Sequence, residues 1–125
     1  MKERPKRKYT RVPYSGKVDL SFEYKEYMGC EVENLCLSGM LVRSCHDQEV
    51  GQRCEVTIHG AGMTNNRLLQ LCGEIVRKDQ YGVAILFTEM NLRSYTNLQT
   101  LILDHADDPF KIAEEFVDEL PANQQ

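Results

Sequence analysis

The sequence predicts a mostly β fold: a six-stranded antiparallel β-barrel followed by a C-terminal α-helix, with an additional short terminal helix. Three observations carry this. Six short segments between Lys17 and Thr88 read as strands, several of them alternating apolar and polar residues. Their connections are tight, as in a small antiparallel barrel. After Thr88 the apolar period lengthens to helical spacing.

Lys17 to Tyr24 alternates cleanly, with Val18, Leu20, Phe22 and Tyr24 on one side and Lys17, Asp19, Ser21 and Glu23 on the other. That pattern predicts a half-buried strand. Shorter strands are expected around Cys30–Leu35 and Met40–Ser44, broken at Leu37-Ser38-Gly39. Arg53–His59 alternates through Cys54, Val56 and Ile58, and a glycine- and asparagine-bearing loop follows at 59–66. Leu69–Lys78 and Tyr81–Thr88 read as a hairpin turning near Lys78-Asp79-Gln80. Leu92, Tyr95, Leu98 and Ile102 then define a helix with Asn91 as its N-cap. A second helix fits Pro109–Leu120, with Asp108 as cap and Pro109 in the first turn. Its predicted stripe is Phe110, Ala113, Phe116, Val117 and Leu120, and its opposite face is acidic.

The chain of 125 residues is 42% hydrophobic and 27% charged, which suits one globular domain and excludes disorder of the whole. No apolar run is long enough for a membrane span. The basic N-terminus leads into no apolar stretch, so the sequence predicts no signal peptide, a cytoplasmic location and reduced cysteines. The five cysteines are odd in number and lack CxxC spacing, which argues against a disulfide framework or a zinc ribbon and for buried strand positions.

Charge is unevenly placed. Residues 1–11 carry Lys2, Arg4, Lys6, Arg7, Lys8 and Arg11 against Glu3, a net +5, while the remainder carries nine basic and eighteen acidic residues, a net −9. A cationic segment on an acidic body is suited either to its own domain or to an anion.

Signatures of catalysis are missing: no GxxxxGK[ST], GxSxG or HExxH, and His46, His59 and His105 lie far apart. The sequence therefore predicts no enzyme, no catalytic residues, no metal and no cofactor. What remains is a pair of motifs. One is Arg7-Lys8-Tyr9-Thr10-Arg11 ahead of the first strand, and the other is Asn34-Leu35-Cys36-Leu37-Ser38-Gly39 at the turn between the second and third.

This combination resembles the PilZ domain, a bacterial receptor for the second messenger cyclic di-GMP, whose pattern is RxxxR followed by [D/N]xSxxG. Arg7 and Arg11 match the first motif, and Asn34, Cys36 and Gly39 the second. The resemblance covers about residues 5–105, including the hairpin and helix from Gly73 to Leu103. It implies a six-stranded barrel with a C-terminal helix, which agrees with the strand count. It divides the chain into a flexible basic segment (1–14), the barrel plus helix (15–105) and an acidic amphipathic terminal helix and tail (106–125).

The resemblance also implies roles for these residues. Arg7 and Arg11 would hold guanine N7 and O6 with a planar fork, stack on a purine or pair with phosphate. Asn34 would accept from guanine N1–H or the 2-amino group, with one acceptor oxygen where aspartate has two. Gly39 is expected to serve a backbone need, either positive φ or close approach of ligand to main chain. Cys36 departs from the family serine, replacing a hydroxyl by a weakly hydrogen-bonding thiol, and Ser38 lies two residues on. A basic residue at Lys6 tends in the family to accompany two stacked ligands. Ligand binding would order the N-terminal segment and change a surface that a downstream protein reads.

Three other readings stay open on the sequence. Cys36 and Asn34 are compatible with a PilZ-like protein-interaction domain that binds ligand weakly or not at all. A small nucleic-acid-binding barrel could use the basic segment, although the acidic body and the 8% aromatic content argue against it. A thiol enzyme at Cys36 would need an acidic, accessible thiol. The last helix offers its apolar stripe to the domain itself, to another protein or to a second copy in a homodimer.

Overall fold

A computed structural model describes residues 9–59 and 68–119. Among them the chain forms seven strands and two helices: β1 (Val12–Pro13), β2 (Lys17–Ser21), β3 (Glu26–Leu35), β4 (Gly39–Val42), β5 (Arg53–His59), β6 (Leu68–Asp79), β7 (Gly82–Glu89), α1 (Leu92–Asp104) and α2 (Pro109–Glu119). The antiparallel order β3-β2-β5-β6-β7-β4 closes through a β4–β3 pairing into a six-stranded barrel, and β1 lies outside it against the end of β3.

The barrel closes because alternate residues of each strand fill it. Val18, Leu20, Val56, Ile58, Ile75 and Ile85 are each 2% exposed or less. Closure leaves the ring itself no bare edges, and the one added strand carries a proline, which has no N–H to present at an edge. Gly82 lies at φ 150° in the β6–β7 turn, where a Cβ would come within 1.9 Å of the Val42 carbonyl oxygen.

The first full strand is shorter than its alternation suggests. Phe22 is buried, but its N–H bonds to the Lys25 carbonyl in a turn, and Tyr24 is exposed rather than inward-facing. β3 begins correspondingly earlier, at Glu26.

Asn91 caps α1 as expected, its Oδ1 accepting from Ser94 N at 2.8 Å, while Ser94 Oγ donates to the Gln70 carbonyl and fixes the helix to β6. Leu98, Leu101 and Ile102 are buried, whereas Leu92, in the first turn, is exposed. In α2, Asp108 Oδ1 accepts from Lys111 N at 3.2 Å. Among the described side chains of α2 the buried ones are Ile112 and Phe116, and Phe110, expected in the stripe, is 85% exposed. The helix thus packs on α1 through a face rotated from the predicted one. Val117 and Leu120 of that stripe lie outside the described side chains.

Cys30, Cys36, Cys45 and Cys54 are buried, and Cys72 is half-buried. Burial pushes the Cys54 thiol up to about 12, as expected of a core residue.

Candidate ligand-binding site

The two-residue strand β1 has no periodicity of its own, yet it does the positioning. Its register pairs Val12 with Leu35 and Pro13 with Asn34. One step further along the same register brings Arg11 alongside Cys36. Tyr9, Val12 and Tyr14 are buried, and the Tyr14 hydroxyl donates to the His59 carbonyl at 2.7 Å, while its ring meets His105 edge-on at 5.0 Å. Residues 9–14 are therefore anchored on the barrel. The main-chain N–H and hydroxyl of Thr10 both donate to the Glu115 carboxylate on α2. Arg7 and Lys6 lie outside the described residues.

The second motif forms the β3–β4 hairpin. Cys36 N donates to the Gly39 carbonyl at 2.9 Å, Phe87 N donates to the Ser38 carbonyl at 2.8 Å, and buried Leu37 pins the loop. Arg11, Asn34, Cys36, Ser38 and Gly39 thereby line one pocket of about 160 Å³ on the outer face of the barrel, together with residues of β4, β6 and β7. Its floor is low because Gly39, Ala84, Cys36 and Ser38 are small, while Leu41, Val76 and Leu86 stand around them.

Two β-bulges decide what faces this pocket. In β3 the extra residue is Glu33, between the pairs Val32–Val42 and Asn34–Leu41. Strict alternation from buried Cys30 and Val32 would put Asn34 inside; the bulge turns it outward and sends Leu35 into the core. In β6 the extra residue is Val76, between Ile75–Ile85 and Arg77–Ala84. Arg77, two residues after buried Ile75, is likewise turned out to the pocket.

Of the two expected reasons for Gly39, positive φ does not apply, and a further reason comes from the neighbouring strand. The main chain that approaches Gly39 belongs to β7: a Cβ would lie 2.3 Å from the Ile85 carbonyl oxygen. Glycine is needed there to let β4 pair with β7 and to keep the floor low. The Cys36 thiol lies 3.4 Å from Ser38 Oγ, so the hydroxyl the family motif places at 36 is found two residues on, at the same pocket. Among the described residues, the side chains of Arg11, Asn34 and Arg77 have no hydrogen-bond or ion-pair partner. The pocket thus collects two unpaired guanidinium groups, an amide and exposed apolar surface at Val76 and Leu86, a set suited to an anion bearing flat, hydrogen-bonding rings.

A larger groove of about 750 Å³ opens toward the other ends of β6 and β7, lined by Glu55, Glu89 and neutral residues. Its charge is wrong for an anion. Among the described residues no cluster of His, Cys, Asp and Glu could hold a metal ion, and no helix is long and apolar enough to cross a membrane.

A closed six-stranded barrel with one added outer strand, an N-x-C-x-x-G hairpin beside it and a C-terminal helix defines a small β-barrel domain of one recognisable class. The profile of the PilZ domain matches residues 5–104, and the chain belongs to that family. Solved structures agree at the level of fold. The PilZ domain of YcgR from Escherichia coli, determined with c-di-GMP, superposes with a TM-score of 0.63 at 12% identity, covering 93% of this chain and 100% of that one. The PilZ domain of CeSA from a cellulose-synthesizing bacterium gives 0.61 at 15% identity, over 76% and 96%. The Bacillus subtilis inhibitor of motility MotI/DgrA gives 0.63 at 15%, over 97% of this chain and 56% of that one. Among curated proteins, none matches the sequence significantly.

Proposed function

We propose that this protein is a non-catalytic receptor for cyclic di-GMP, acting in the cytoplasm through a partner protein. The observation that carries the reading is the convergence of Arg11, Asn34, Cys36, Ser38 and Gly39 on one pocket, in a chain of the PilZ family. In this reading Arg11 grips guanine N7 and O6 or a phosphate, Asn34 accepts from the guanine Watson–Crick edge, and Cys36 adds only a weak contact, with Ser38 lining the pocket beside it. At about 160 Å³ the pocket is smaller than one that encloses a ligand. It serves as a rim on which the ligand lies, and Arg7 and Lys6 would add positive charge for its phosphates. Lys6 would favour a stacked pair of ligands.

The output is a changed surface. Thr10 joins the segment that carries the arginines to α2 through Glu115, so a ligand that repositions this segment also acts on the C-terminal helix. That surface is offered to a downstream protein or to a second copy of the chain.

Isothermal titration with cyclic di-GMP tests the reading. Wild-type protein should bind at micromolar concentration or tighter, and Arg11→Ala should cost about 1–3 kcal/mol, on the order of ten- to hundredfold in Kd. Cyclic di-AMP should compete poorly, because adenine puts an amino donor where guanine has the O6 acceptor. No binding by folded wild-type protein would overturn the receptor reading in favour of a domain that works through protein contacts alone.

A further inference from the structure

Arg77 lies outside both sequence motifs, yet it lines the same pocket as Arg11 and Asn34. Parity along β6 does not explain its position. Ile75 is fully buried, so an unbroken strand would turn residue 77 into the barrel, where a guanidinium would lose its hydration. The extra residue Val76 reverses that parity at this one point, and Arg77 emerges exposed beside the pocket. The same device presents Asn34 on the opposite wall, through the extra residue Glu33. Two bulges in different strands, each turning a polar side chain toward one depression, mark both walls as parts of one binding surface.

Arg77 also has no internal employment. It forms no hydrogen bond or ion pair among the described residues, although Arg43 and Lys78 nearby are paired with Glu33 and Glu49. Between Asn34 on β3 and Arg77 on β6 the sheet runs through β4 and β7. Three strand spacings amount to about 14 Å along the surface, wider than one purine and suited to a ligand of two nucleotide units. Val76 and Leu86, both partly exposed, offer apolar contact for a base beside the cation.

We infer that Arg77 is a third cationic binding residue of this pocket, pairing with a phosphate of the bound dinucleotide on the wall opposite Asn34. The inference rests on the receptor reading above and extends it to the far half of the ligand.

The experiment is titration of wild type, Arg77→Ala, Arg77→Lys and Arg11→Ala with cyclic di-GMP at low and high sodium chloride, with a thermal melt of each variant. Arg77→Ala should melt as wild type does, because the side chain is exposed and unpaired. It should bind about three- to tenfold more weakly, the range for a charge-assisted contact at a solvated rim, and should lose less affinity than wild type when salt is raised. Arg77→Lys should recover most of the affinity and all of the salt sensitivity, since a lysine also serves a phosphate. If Arg77→Ala stays within about twofold of wild type while Arg11→Ala weakens binding, Arg77 is a bystander and the receptor reading stands without it. If Arg77→Lys is as weak as Arg77→Ala, the phosphate assignment is wrong. If wild type itself does not bind, the receptor reading fails and this inference with it.

Discussion

At position 36 the chain departs from its family, and the consequence can be followed atom by atom. A thiol is a poor hydrogen-bonding partner for a nucleotide, and the Cys36 sulfur is occupied with Ser38 Oγ at 3.4 Å. Cys36→Ser should therefore tighten cyclic di-GMP binding by about 1 kcal/mol, several-fold in Kd, while Cys36→Ala should change it little. Titration calorimetry on the three proteins checks this, and a serine variant no tighter than wild type would show that Ser38 already fills the role. Gly39 teaches a different lesson about motif residues. Its lack of a side chain is required by the Ile85 carbonyl oxygen of the neighbouring strand, with or without a ligand. A motif glycine can thus be essential to a site by letting two strands meet beneath it.

At the scale of elements, the terminal helix shows how a stripe read from sequence can be right in kind and rotated in detail. Of the predicted stripe, Phe116 is buried but Phe110 is not, and Ile112, which the stripe leaves out, docks at 3% exposure. Phe110, one position after Pro109 in the first turn, is 85% exposed. Ile112→Ala should destabilise the protein by about 2–5 kcal/mol. Phe110→Ser should stay within about 0.5 kcal/mol. Urea unfolding of both variants measures the difference, and equal losses would mean that the stripe containing Phe110 is the packing face after all. Helix α1 was easier to read, because Asn91 caps it through a local bond to Ser94 that needs no knowledge of the barrel.

Over the whole molecule, the legible part of the fold was the part governed by period. Strand β5 alternates without a break, and its observed bounds, Arg53–His59, are those its alternation predicts. The strands with bulges kept their identity but lost their parity, and parity decides which side chains reach the outer face. Asn34 was found by its motif despite the bulge at Glu33, whereas Arg77, with no motif to announce it, would be assigned to the barrel interior by alternation from Ile75. Strand β1 was invisible for a different reason. Two residues have no period, and their pairing with Asn34 and Leu35 is a contact between distant parts of the chain. That contact nevertheless sets Arg11 beside the hairpin and brings one residue of the first motif into the pocket of the second.

Cyclic di-GMP should enter this pocket rather than the larger acidic groove. Titrating isotopically labelled protein with the ligand and following backbone amide shifts by NMR tests it most directly. The account predicts the largest changes at Arg11, Asn34, Cys36, Ser38, Gly39 and Arg77, with Glu55, Gln70 and Met90 little affected. Saturable shifts centred on Glu55, Gln70 and Met90, with the hairpin residues unmoved, would contradict it.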